Sequence, residues 1–170
     1  YLLGLGHERI AYITGPIWAH ASGLRLAGLR QALRTRGLSL PAEWVLKGDG
    51  RVEGGVEATN ELLRRELPVS AVFCYNDMTA LGVLAALHRA GKRAPGDISV
   101  VGFDDVPIVA HIEPPLTTVA QPKYELGVIA AELLLARLAD PELPPQRRLL
   151  QAHLAVRHST AAPPSVPGAG

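Results

Sequence analysis

The sequence predicts an α/β fold, a parallel sheet flanked by helices, from two observations. Short apolar runs alternate with longer stretches whose apolar residues recur at helical spacing, which is the pattern of strands joined by crossover helices. Three of the runs also end in polar residues. Ile10-Ala11-Tyr12-Ile13-Thr14 leads into Gly15-Pro16, Ala71-Val72-Phe73-Cys74-Tyr75 into Asn76-Asp77, and Ile98-Ser99-Val100-Val101-Gly102-Phe103 into Asp104-Asp105. A short continuous apolar run reads as a strand buried on both faces. Open α/β sheets hold their ligands beyond the carboxyl ends of such strands. The three runs therefore deliver polar residues to one edge of one sheet.

Taken in order, Tyr1-Leu2-Leu3-Gly4-Leu5-Gly6-His7 lacks the basic stretch and cleavage site of a signal peptide. It reads as the last turns of a helix stopped by Gly6, so the fold is expected to be incomplete at its N-terminus. Residues 10–14 form the first strand, and a loop over 15–22 leads to a helix over 23–36 with Leu26, Leu29 and Leu33 on one stripe, closed by Gly37. Residues 44–47 make a short strand, with Gly48-Asp49-Gly50 as its turn. A helix over 53–66 carries Val56, Thr59, Leu63 and Leu67 and ends at Pro68. Residues 71–75 form the third strand. Asp77 is the expected N-cap of a helix over 78–90, with Gly91 behind it. Residues 98–103 form the fourth strand. This β-α-β-α-β-α-β order calls for right-handed crossovers.

After Asp105 the pattern changes. Residues 106–119 read as extended, because Pro107, Pro114 and Pro115 oppose helix. A strongly apolar helix over 123–138 stops at Asp140-Pro141, and 148–157 alternates like an edge strand. Residues 159–170, rich in Pro, Ala and Gly from Ala161 onward, are expected to be a disordered tail.

Composition removes several function classes. The 170 residues suffice for one domain with a core. A net charge of +1 gives no pull toward nucleic acid or anionic membrane, and the pI of 8.2 lies below the value of about 9 typical of nucleic-acid-binding domains. No apolar run is long enough to span a membrane. The single cysteine, Cys74, excludes an internal disulfide and lies within an apolar strand, as a buried inert thiol would. His7, His20, His88, His111, His153 and His158 show no metal-ligand spacing, and neither metal nor cofactor is expected. Ser22 has no histidine placed for a triad. Gly48, Gly50, Gly54 and Gly55 lack the arrangement of a phosphate loop. No acid and base stand in distinguishable environments, so an enzyme is not expected.

What remains is a binding site. Arg25 sits in the first turn of its expected helix, where a cation is slightly unfavourable against the dipole, so it has another task. An arginine fork, the Asn76 amide and the carboxylates Asp77, Asp104 and Asp105 suit a polyhydroxylated ligand, whose hydroxyls each need a donor and an acceptor. Singly, Asp77 reads equally well as an N-cap, whereas Asp105 reads more readily as a cap or turn residue and Arg25 more readily as a surface residue. Their convergence favours a site.

At these residues the chain resembles the effector-binding core of lactose-repressor-type (LacI/GalR) bacterial transcription regulators. The resemblance rests on Gly6-His7-Glu8-Arg9-Ile10-Ala11-Tyr12-Ile13, Gly15-Pro16, Arg25-Leu26-Ala27-Gly28 and Asn76-Asp77-Met78-Thr79-Ala80-Leu81-Gly82. It continues through Asp97 to Asp105, then Pro114-Pro115-Leu116-Thr117-Thr118-Val119 and Gln121-Pro122. It implies a periplasmic-binding-protein-like core of two lobes with a sugar or related small polar effector in the cleft. Residues 1–120 would be the C-terminal lobe, the helix within 121–140 would belong to the N-terminal lobe, and 141–158 would return as a strand to the C-terminal lobe. Arg25, Asn76 and Asp104 match ligand-contacting positions, Gln121 matches one near the cleft hinge, and Asp77 would cap its helix. Many relatives carry a stacking aromatic where this chain has Gly50, and Trp18 is expected either to replace that platform or to sit at a partner interface. A homodimer is implied through the helix from Met78 to Arg89 and the segment from Val106 to Ile112, with Leu81, Val83, Leu84 and Ile112 as apolar residues, some facing the dimer surface and some the protein's own core. Operator DNA would be bound only through an N-terminal headpiece outside this sequence, in the cytoplasm and with no membrane partner. Effector closure of the lobes would shift the dimer between DNA-binding states. An exported sugar-binding protein of the same fold is the alternative.

Overall fold

The computed structural model describes residues 1–164. Six strands form one sheet: β1 (Ile10–Ile13), β2 (Val45–Leu46), β3 (Ala71–Cys74), β4 (Ser99–Asp104), β5 (Thr117–Ala120) and β6 (His153–Ala155). Their spatial order is β2-β1-β3-β4-β5-β6. Every neighbouring pair is parallel except β5 with β6. Four α-helices connect them: α1 (His20–Arg34), α2 (Val52–Arg64), α3 (Asp77–Arg89) and α4 (Lys123–Ala139). From β1 the chain first moves outward to β2, then returns past β1 to build β3, β4 and β5. The order therefore reverses between β1 and β3, and such a switch point opens a crevice beyond the strand ends.

Strand alternation sends side chains to two faces. Ala11, Ile13, Val72, Cys74 and Val100 pack with Ala58 and Leu62 of α2 and Ala80, Val83 and Leu87 of α3. Ile10 and Ala71 pack with Leu33 of α1, joined by the half-buried Leu29 and Phe73. Each fully buried aliphatic side chain contributes about 1.5–3 kcal/mol of transfer free energy. The Tyr12 ring lies 5.4 Å from that of Phe73, and its hydroxyl donates to the Ser22 carbonyl at 3.1 Å, tying β1 to α1. α2 and α3 touch backbone to backbone, because a Cβ at Gly55 would collide with the Thr79 carbonyl and one at Gly82 with that of Val52. α4 differs from the rest. None of its residues is buried, and Leu126, Leu134, Leu135 and Leu138 stand exposed. Among the described residues no helix is long and apolar enough to cross a membrane.

Three expectations need correction. Residues 117–120 are a true strand, β5, rather than an extended link. Pro107–Ala110 forms a 3-10 turn; Pro107 opens it, where its missing N–H leaves no bond unmade. The tail is ordered at its start. Ser159 is fully buried. Its hydroxyl donates to the Val100 carbonyl at 2.6 Å and accepts from the Thr117 N–H at 2.8 Å, while its carbonyl accepts from the Val100 N–H at 2.8 Å. Backbone groups of β4 and β5 needed partners, and these residues supply them. The remainder of the expected tail, 165–170, lies outside the described residues.

Candidate functional site

Because β1, β3, β4 and β5 are parallel, their carboxyl ends share one rim. Asp104 is the last residue of β4, and Thr14, Tyr75-Asn76, Asp105 and Gln121 follow the strand ends. Arg25 reaches the rim from α1. That helix starts at His20, earlier than the spacing suggests, so Arg25 lies in its second turn and the first-turn dipole argument does not apply. The residue's task is visible in its contacts. Its guanidinium carbon lies 3.6 Å from the Phe103 ring centroid and 4.7 Å from that of Tyr75, and Nη1 donates to the Tyr75 carbonyl at 2.5 Å. Cation–π contacts of this kind contribute about 0.5–2 kcal/mol. Among the described residues the Tyr75 carbonyl is its one hydrogen-bond partner, which leaves further N–H groups of the fork for a ligand.

The cap of α3 is Asn76, not Asp77. The Asn76 Oδ1 accepts from the Thr79 N–H at 2.9 Å and the Thr79 hydroxyl at 2.8 Å, and Nδ2 donates to the Gly50 carbonyl at 2.9 Å. One Nδ2 proton remains to give. Asp77 turns inward and is fully buried. It accepts from the Thr118 hydroxyl at 2.5 Å and the Val106 N–H at 2.8 Å. Burial pushes its carboxyl pKa above the ordinary carboxylate range, and these two bonds oppose the rise. Asn76 has extended backbone at the strand end, as an N-cap requires. Asp77 is left one position inside, against β5. Burial likewise pushes the Cys74 thiol up, consistent with an inert group.

Asp104 is half-buried at the rim, and its Oδ1 accepts from Gln121 Nε2 at 2.6 Å. The structure thus brings these two expected site residues into direct contact. Asp105 instead pairs with Arg157, Nη2 to Oδ1, at 2.7 Å. Trp18 is 83% exposed and stacks on no ring among the described residues. The ring beside Gly50 belongs to Tyr75. A Cβ at Gly50, whose φ is +82°, would stand 3.2 Å from Tyr75 Cε1, and a Cβ at Gly15 would meet the face of the same ring at 2.6 Å.

Sequence reasoning missed Tyr75, Phe103, Lys123 and Arg157. The first two had a signal, since each is the last aromatic of an apolar run before the polar rim residue. Arg157 had none, being 52 residues from its partner.

A family model described as a periplasmic binding protein-like domain matches residues 1–160. The ribose operon repressor of Escherichia coli (strain K12) is 43% identical over 159 residues, covering 94% of this chain and 48% of the repressor. Among solved structures, the transcriptional regulator CelR–cellobiose complex superposes with a TM-score of 0.88 at 41% identity, covering 93% of this chain and 48% of that one. The lac repressor dimer bound to operator and the anti-inducer ONPF superposes with a TM-score of 0.84 at 34% identity, covering 95% of this chain and 55% of that one. The chain spans about half the length of the curated relatives it matches.

Proposed function

Since the chain belongs to the periplasmic-binding-protein-like domain family, in the form carried by LacI-type transcriptional regulators, we propose that it is the effector-sensing lobe of such a regulator and holds a sugar at the rim. Residues 1–120 and 141–158 form one lobe, while α4 belongs to the other and finds its core there. Arg25 and Asn76 donate to the sugar hydroxyls, and the Asp104 carboxylate accepts from them, oriented by Gln121. A hydroxyl needs both kinds of partner, and the rim offers both within one crevice.

The observation that carries this reading is the placement of Arg25. A guanidinium stacked on Phe103 and Tyr75 and anchored by one N–H is pre-organised, so little rotamer freedom is lost when it meets a ligand. Effector closes the two lobes and shifts the population between DNA-binding states. The dimer forms through the face from Met78 to Arg89 and the segment from Val106 to Ile112, where Met78 and Ile108 stand exposed. Operator contact comes from a separate headpiece, and the regulator acts in the cytoplasm without catalysing a reaction. The named relatives are repressors and regulators, which supports this reading over an exported sugar-binding protein.

Calorimetry on the full-length regulator tests it, with D-ribose first and then other pentoses, hexoses and nucleosides. Arg25→Ala should weaken the bound sugar by about 2 kcal/mol, roughly 30-fold, because it strands hydroxyl partners in the closed cleft. An Arg25→Ala protein that folds and binds the same sugar with wild-type affinity would reject the site.

A further inference from the structure

The turn that ends β4 adopts a backbone shape that its side chains disfavour. Asp104 has φ +116° and Asp105 φ +54°, both in the positive range that residues other than glycine rarely occupy. Neither position is a glycine, so the surroundings must hold the shape. Two cations from distant segments do so. Lys123, the first residue of α4, donates through Nζ to the carbonyl oxygens of Asp104 and Asp105, each at 2.7 Å. Arg157, two residues past β6, donates through Nη2 to the Asp105 carboxylate at 2.7 Å and through Nη1 to the Leu116 carbonyl at 2.8 Å.

From this arrangement we infer that Lys123 and Arg157 are positioning residues for the effector site. They clamp the Asp104-Asp105 turn and so fix where the Asp104 carboxylate stands. The inference rests on Asp104 being an effector contact. The chemistry suits each cation to its part. An ammonium has three donors and can satisfy two adjacent carbonyls at once. A guanidinium fork can hold a carboxylate and a carbonyl in one plane. Without the ammonium the two carbonyl dipoles lose their shared partner, and the backbone gains by relaxing toward negative φ. That relaxation would carry the Asp104 side chain away from Gln121. Because Lys123 opens α4, a shift of that helix reaches Asp104 directly.

Amide hydrogen exchange on the full-length regulator tests the clamp with no sugar present. Lys123→Met and Arg157→Met should raise exchange across residues 103–106 by about fivefold or more while α2 keeps its protection, and Lys123→Arg should restore that protection. Unchanged exchange across 103–106 in Lys123→Met would overturn the inference, as would an equal rise in α2. Should Arg157→Met fail to fold, Lys123→Met decides alone, since the Lys123 side chain is exposed. A D-ribose titration of Asp104→Asn separates the two ways of failing. Wild-type affinity there would remove the effector role of Asp104 and leave the exchange result standing.

Discussion

The two edges of the sheet are built to opposite rules. At the lower edge, where the strands begin, His7 is almost completely buried. Its Nε2 lies 2.8 Å from the Ala161 carbonyl, which can only accept, so that nitrogen carries the proton. Nδ1 therefore accepts from the Ser70 hydroxyl at 2.9 Å. Ser99 completes the set, 3.1 Å from Nε2 and accepting from the Ala161 N–H at 3.1 Å. The network is neutral, closed and fully partnered. At the upper rim the groups are charged and half-exposed, and two residues hold disfavoured φ values. Arg25, Asn76 and Asp104 each keep hydrogen-bonding capacity to spare. A closed polar network stabilises the fold, whereas an open one costs stability and is kept where something binds.

The contrast breaks most visibly at the lower edge. His7→Ala removes the bonds to the Ser70 and Ser99 hydroxyls and the Ala161 carbonyl, leaves those groups only their longer alternative partners, and opens a cavity; it should cost about 3 kcal/mol. For a domain of this size that lowers Tm by about 6–12 °C. Sugar affinity measured well below Tm should stay within about twofold. A calorimetric scan showing no loss of Tm, or a matching loss of sugar affinity, would mean that the edges are not separate in role.

At the rim the signs reverse. Arg25→Lys keeps the charge but loses the planar fork and most of the stacking on Phe103 and Tyr75. Sugar affinity should fall about tenfold, near 1.4 kcal/mol, while Tm moves by less than about 3 °C. A large drop in Tm with intact affinity would make Arg25 a structural residue, and the rim would then resemble the lower edge.

The elements and the shared rim could be read from the sequence because their causes are local. Apolar runs, helical spacing and Gly or Pro punctuation placed β1, β3, β4 and α1 to α4 within a few residues. The choice between Asn76 and Asp77 as cap could not be read, since both side chains cap well. It was settled by β5, whose Thr118 hydroxyl draws Asp77 inward from 41 residues away. β5 itself was hidden, because Pro114-Pro115 mask a four-residue strand whose partners come from elsewhere in the chain. Ser159 looked like part of a tail because composition does not report an unfilled backbone acceptor on β4. The Arg25 stack was half visible, with Tyr75 and Phe103 each beside a residue chosen for the site. Trp18 drew attention as the larger ring, yet Gly15 and Gly50 leave their space to Tyr75.

The smallest effect is the pH dependence that His7 contributes at the lower edge. Burial holds the His7 pKa below its ordinary value of 6.5, opposed by the bond to the Ala161 carbonyl. Between the folded and unfolded pKa values the unfolded chain therefore binds more protons than the folded one, and stability rises with pH across that window. The stabilisation is fully present above about pH 6.5 and drains away as pH falls through the folded value. Protonation is not blocked outright, because Ser70 could turn its hydroxyl proton to the Arg9 carbonyl 3.3 Å away and accept from Nδ1 instead. The cost is the charge itself, placed among buried groups with no carboxylate bonded to the ring. His7→Gln keeps one donor and one acceptor but cannot titrate, so its Tm should change less between pH 7.5 and pH 5 than that of the wild type. Parallel Tm profiles for the two proteins would show that His7 carries no linkage, and that the closure of the lower edge rests on its serines and backbone alone.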